Sequence, residues 1–165
     1  MPTTRAILAI LALMAAGTVL NACAPPVVET TAPYTGLKLA PPDRVIVSAF
    51  AASPPALRDA LVVRLKARGM VAEAGDPDAA QGITLLVQGQ SSTPTRPVMG
   101  LTAPGRTAAA EVQVLYVAGS AAPQFLESFG VEAADTQRLA DVIAERIATF
   151  AAGQAWIAGT KKGGS

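Results

Sequence analysis

The chain has 165 residues, 13 Lys and Arg against 12 Asp and Glu, no histidine and one cysteine. So balanced a charge leaves no clustered excess of Lys and Arg to hold nucleic acid. Without histidine, neither a Ser-His-Asp nor a Cys-His arrangement can be assembled, and with the sole cysteine acylated, zinc or copper would have to be held by carboxylates alone.

In chain order, the first segment is an apolar run from Ala6 to Leu20 behind a single positive charge, Arg5. At about 15 residues it is shorter than the ~20 that a spanning helix needs and suits the apolar region of a signal peptide. Nothing basic follows it to stop transfer. It ends in Leu20-Asn21-Ala22-Cys23, which resembles the lipobox of bacterial lipoproteins, with an aliphatic residue three before the cysteine and a small one just before it. That resemblance implies cleavage after residue 22, with Leu20, Asn21 and Ala22 as the signal-peptidase recognition residues. Cys23 is then the lipidated N-terminus, carrying palmitate-type chains. Two or three chains, at ~0.8 kcal/mol for each buried methylene, hold a protein on a bilayer durably. By resemblance to the enterobacterial sorting rule, Ala24 after the cysteine points to the inner leaflet of the outer membrane, facing the periplasm, rather than the inner membrane. Loss of Arg5 with the leader makes the charge balance even.

Residues 23–43 contain Pro25, Pro26, Pro33, Pro41 and Pro42 with no clear apolar period, and are expected to form a tether reaching up to ~60 Å if fully extended. The folded domain is expected over 44–158. Arg44 to Phe50 reads as a strand interior to its sheet, with β-branched residues on both faces. Ser53 then caps a helix with Pro54 and Pro55 in its first turn, a stripe of Leu57, Leu61 and Leu65, and a stop at Gly69. Met70 to Ala74 is a short strand entering the turn Gly75-Asp76-Pro77-Asp78. Ile83 to Gly89 is the next strand. Residues 90–105 turn to Ser, Thr, Pro and Gly, with Met99 and Leu101 as their few large apolar groups, as in a long hairpin loop or ragged strand ends.

Thr107 to Val117 alternates, placing Ala110, Val112, Val114 and Tyr116 on one side and Glu111 and Gln113 on the other. Gln124 to Val131 should pair with it as an antiparallel hairpin, with Phe125, Phe129 and Val131 sharing a face. The last helix runs from an N-cap at Asp135 to about Gly153 on a stripe of Leu139, Val142, Ile143, Ile147 and Phe150. Trp156 either packs back over the domain edge or faces a partner, since tryptophan is enriched at binding hot spots. Lys161 and Lys162 belong to a basic tail over 159–165 that reads as a solvated end.

This order gives an α+β fold, an α/β sandwich of a mostly antiparallel 4–5-stranded sheet with two helices packed on one face. Lipobox, proline-rich segment, the strand Val45-Ile46-Val47-Ser48-Ala49-Phe50, the helix with Leu57, Leu61, Leu65 and Gly69, and a C-terminal helix with Ala140, Ile143, Ala144 and Ile147 resemble small periplasmic lipoproteins. The group comprises the TolB N-terminal domain, LpoB and CsgG-type proteins. The resemblance implies docking on envelope proteins or assembly into larger complexes, homo-oligomers included, and carries no contact residue.

For chemistry, no serine sits in nucleophile-elbow spacing, and no phosphate-cradling or dinucleotide glycine pattern occurs. Asp76 with Asp78 is explained by a turn, and Glu132 with Asp135 by a helix N-terminus. The expectation is therefore a non-enzymatic protein without cofactor or metal. It sits on the membrane through its lipid and acts as an interaction, adaptor or assembly factor for an envelope protein, through a sheet edge or the 90–105 loop, with Trp156, Met99 and Leu101 as contact candidates. The alternative is a ligand-binding or auxiliary component of an envelope transport or secretion system, with a pocket between helices and sheet lined by Leu61, Val114 and Phe129.

Overall fold

The computed structural model describes residues 27–33 (as backbone), 38–52, 55–92 and 106–157. Cys23 with Leu20, Asn21 and Ala22, the cap Ser53, the loop residues Met99 and Leu101, and the tail lysines lie outside the described residues. The elements are β1 (Val27–Pro33), β2 (Arg44–Val47), α1 (Pro55–Ala67), β3 (Ala72–Ala74), a 3-10 turn (Pro77–Ala79), β4 (Ile83–Ser92), β5 (Ala108–Ala118), β6 (Gln124–Ala133) and α2 (Thr136–Gly153). They form one mixed sheet in the order β1-β6-β5-β4-β2-β3 with two helices, an α+β fold as the element order predicts.

The sheet has six strands, one more than the 4–5 expected, and the extra one comes from the proline-rich stretch. β1 runs antiparallel to β6, with Val27 opposite Glu132 and a register shift between Thr30 and Ala32. As an edge strand it tolerates Pro33, because the missing N–H leaves no gap in an interior ladder. The following stretch is also tied down. Leu39 N–H donates to Gln154 Oε1 at 3.1 Å, Trp156 Nε1–H to Leu39 O at 3.0 Å, and Tyr116 O–H to Ala40 O at 3.1 Å.

β2 lies between β3 and β4 and is parallel to both. Its residues are buried on both faces, Ile46 and Val47 completely, as a parallel strand under covered faces requires. β4, β5, β6 and β1 continue as antiparallel neighbours. Leu57, Leu61 and Leu65 of α1 are fully buried, and Leu139, Ile143 and Ile147 of α2 nearly so, in one core with Val45, Val47, Leu85, Val87, Val112, Val114 and Phe129. Each such Leu or Ile contributes roughly 1.5–3 kcal/mol before ordering entropy is subtracted. Gly69, at φ +82, ends α1 in the left-handed region, its N–H bonded to Lys66 O and that of Met70 to Leu65 O. α2 starts as expected: Asp135 caps it by accepting the Arg138 N–H at 2.7 Å.

Phe125 corrects the expected strand face. The β5–β6 register passes from Val114 opposite Glu127 to Leu115 opposite Phe125, so Leu126 is an extra residue on β6. This β-bulge turns Leu126 into the core and Phe125 out of it, leaving Phe125 at 44% exposure. Glu127 stays on the buried face, only 4% exposed, and meets Arg146 of α2, whose Nε–H donates to Glu127 Oε1 at 2.9 Å.

Candidate functional site

Among the described residues, helices cover one face of the sheet only. The space between helices and sheet, where a pocket was expected, is filled: Leu61, Val114 and Phe129 are at most 3% exposed and belong to the continuous core. On the opposite face, one end carries a small apolar cluster of Ile46, Leu86 and Val117, packed with Ala80 and Leu115. The other end is polar, and there the described residues form a groove of about 400 Å3.

The groove is built where the parallel strands end. After Val47 the chain bulges. Ser48 N–H still donates to Val87 O, but Ala51 is the next residue to bridge β4, opposite Gln90, its N–H on Gly89 O at 3.0 Å and its carbonyl accepting from Ser91 N–H at 2.9 Å. Ala52 then takes φ 57, a left-handed conformation that costs a residue with a Cβ about 1 kcal/mol or more. On the other side the chain leaves β3 through Gly75, whose N–H donates to Val47 O, into Asp76 and Pro77. Ser48, Ala49 and Ala51 form one wall and Asp76 and Pro77 another. Gly89 lies in the floor and must lack a side chain, because a Cβ there would sit 2.1 Å from Glu111 O and 2.7 Å from the Phe50 ring.

Polar side chains projecting from β4, β5 and β6 complete the lining. Gln88 Nε2 donates to Gln113 Oε1 at 3.3 Å, and Gln90 Nε2 to Glu111 Oε2 at 3.0 Å, two cross-strand rungs with Ser128 beyond them. Ser48 is 4% exposed as a residue and lines the groove. Asp76 begins the 3-10 turn, yet its side chain makes no capping hydrogen bond. The turn therefore does not consume its carboxylate as the sequence reading supposed, since the backbone carbonyl of Asp76 closes the turn instead. No Lys or Arg is among the described lining residues.

The other candidates have structural roles in the described residues. Glu132 faces Arg106 at 3.8 Å, and Asp135 is a helix cap. Trp156 is half-buried, stacked 6.3 Å from Tyr116 and edge-on to Phe150 at 5.5 Å, with its indole N–H donated to Leu39. Outside the groove, Asp141 of α2 gathers Arg68 at 2.9 Å, Arg138 at 3.5 Å and Arg64 at 3.7 Å. The hydrogen bond from Arg68 holds its carboxyl below the usual range. Partial burial opposes this, and the charges of Arg68, Arg64 and Arg138 add to it. Sequence reasoning missed the groove, although Gln88-x-Gln90 and Glu111-x-Gln113 are the signal that could have found it: polar residues at strand period on two neighbouring strands.

No protein-family model matches the chain, and no curated protein matches it in sequence. Among solved structures it is similar to a PelC dodecamer from Paraburkholderia phytofirmans, at 15% identity and a TM-score of 0.46 over 75% of this chain and 96% of that one. It is also similar to a minor lipoprotein from Acinetobacter baumannii, at 12% identity and a TM-score of 0.37 over 65% of this chain and 94% of that one. At these scores neither similarity carries a functional argument to this chain.

Proposed function

We propose that the chain is a lipid-anchored protein of the cell envelope whose folded domain works by binding, as an adaptor or assembly factor, and not by catalysis. The anchor rests on Cys23 behind its apolar leader, with the outer-membrane inner leaflet as its site. The observation that carries the binding reading is the one-sided sheet: two helices fill one face, and the polar end of the other is open among the described residues. An exposed sheet face with Phe125 near its rim offers area for an envelope protein or for a second copy of the chain. A photo-reactive residue in place of Gln90, which is exposed at the groove, tests this in cells. The expected product is a specific crosslink to an envelope protein; crosslinks to bulk lipid and solvent alone would overturn the reading.

The groove also favours a second reading, a ligand-binding or auxiliary component of a transport or secretion system. Its volume of about 400 Å3 lies within the ~300–1,000 Å3 range of small-molecule sites.

A further inference from the structure

We infer that residues 38–40 and 154–157 form a strained latch at one margin of the core, which opens as a unit while the rest of the domain stays folded. Its parts come from three places in the sequence. The strap, 38–40, lies between β1 and β2, the hook, 154–157, follows α2, and Tyr116 belongs to β5. Leu39 is held at both ends of its backbone: its N–H donates to Gln154 Oε1 at 3.1 Å, and its carbonyl accepts the Trp156 indole N–H at 3.0 Å. The carbonyl of Ala40 accepts the Tyr116 hydroxyl at 3.1 Å. All three links run through side chains. Among the described residues, the first backbone bond after the strap is that of Asp43 N–H to Ile83 O at 2.7 Å.

The hook carries strain. It closes α2 in the pattern usually built on glycine, with Trp156 N–H donating to Ala151 O at 2.9 Å and Ala155 N–H to Ala152 O at 3.0 Å. The residue that must turn left-handed there is Ala155, at φ 61, while Gly153 stands two residues too early to take that place. A residue with a Cβ keeps such a conformation only where its surroundings hold it. Here the holding group is Trp156, stacked 6.3 Å from Tyr116, edge-on to Phe150 at 5.5 Å and hydrogen-bonded to the strap. Strap, indole and hook therefore support one another, and losing one link lets the strain at Ala155 act against the rest. Leu39, Phe150, Trp156 and Ile157 are only partly buried where they pack against the core, so parting them exposes less apolar surface than parting the fully buried leucines of α1. Opening unties the connection between β1 and β2 from the end of α2, and uncovers Tyr116 and Phe150.

Amide hydrogen exchange of the full chain in detergent, followed residue by residue at rising urea below the unfolding midpoint, tests this. The Leu39 and Trp156 amides are expected to exchange at least ~100-fold faster than those of Leu61 and Ile143, at rates that barely respond to urea. Tyr116→Phe removes one link and should speed exchange at both Leu39 and Trp156 by roughly fivefold, with Leu61 and Ile143 unchanged. Ala155→Gly relieves the strain and should slow both by roughly tenfold. Leu39 and Trp156 exchanging only with Leu61 and Ile143 would overturn the latch, since the segment would then open only by global unfolding. A response to Tyr116→Phe at Leu39 but not at Trp156, or to Ala155→Gly at Trp156 but not at Leu39, would overturn it too, because strap and hook would then fray separately.

Discussion

The pair of buried Glu127 and partly exposed Arg146 shows at the scale of one residue how the β6 bulge is tolerated. Glu127 points to the helix side with its side chain 6% exposed, and Arg146 answers it from α2 with its guanidinium 6.0 Å over the Phe129 ring. Breaking such a pair leaves a buried charge without its partner, which costs about 3–5 kcal/mol, whereas replacing both partners by apolar groups is often neutral or better. Arg146→Ala should therefore destabilise the domain by about that much in urea unfolding, and Glu127→Leu combined with Arg146→Leu should recover most of the loss. Asp141 gives a pH dependence of definite sign. Its folded-state pKa is depressed, so its contribution to stability is fully present above the unfolded value of ~3.9 and is lost as pH falls through the lower folded value. Thermal melts from pH 6 to 2 should show Asp141→Asn less stable than the parent chain at pH 6, with the gap closing below pH 4. The effect is modest, because the carboxylate is about a third exposed and water screens it.

At the scale of elements, β1 changes the meaning of the proline-rich stretch. Val27 is paired four residues after Cys23, so a lipid on Cys23, if the anchor is as proposed, would lie within ~14 Å of the sheet edge, against the ~60 Å expected of a free tether. If the anchor is as proposed, the β1–β6 edge is held at the membrane surface and β3, at the other end of the sheet, points away. Deleting residues 27–33 should lower stability on the order of 1–6 kcal/mol, at ~0.2–1 kcal/mol for each of the six cross-strand pairs, and expose β6 as a ten-residue edge. A lowered urea midpoint together with concentration-dependent association in sedimentation would be the signature. Local pattern could not reveal β1, because its partner lies about a hundred residues away and its prolines argue for extended linker. The helices were legible since their stripes of Leu57, Leu61 and Leu65, and of Leu139, Ile143 and Ile147, repeat within one element. Phe125 was misplaced because a bulge has no periodic signature.

For the whole molecule, near-neutral net charge conceals an uneven distribution. α1 and the residue after it carry Arg58, Arg64, Lys66 and Arg68 against Asp59, while the described lining of the groove carries Asp76 and Glu111 and no Lys or Arg. Composition excludes a strong overall field, yet the acidic groove arises once Asp76 and Glu111, 35 residues apart in the chain, enter one lining. The anchor and the domain should be separable. Cys23→Ala is expected to release the protein from membranes or leave an uncleaved precursor, with unchanged circular dichroism and urea midpoint. A fully processed, membrane-bound variant in cell fractionation would contradict the lipid anchor.

The sequence by itself determined the two helices, the succession of elements along the chain from 44 onward, the α+β class and the barren inventory for histidine or cysteine chemistry, because each follows from residue type or from periodicity within one element. Only the tertiary structure decided that residues 27–33 close the sheet, that Phe125 faces outward, that the helix–sheet space is filled, and that Ser48, Asp76 and Glu111 share a groove. These depend on non-local pairing and on where the crossovers part, neither of which leaves a mark on neighbouring residues.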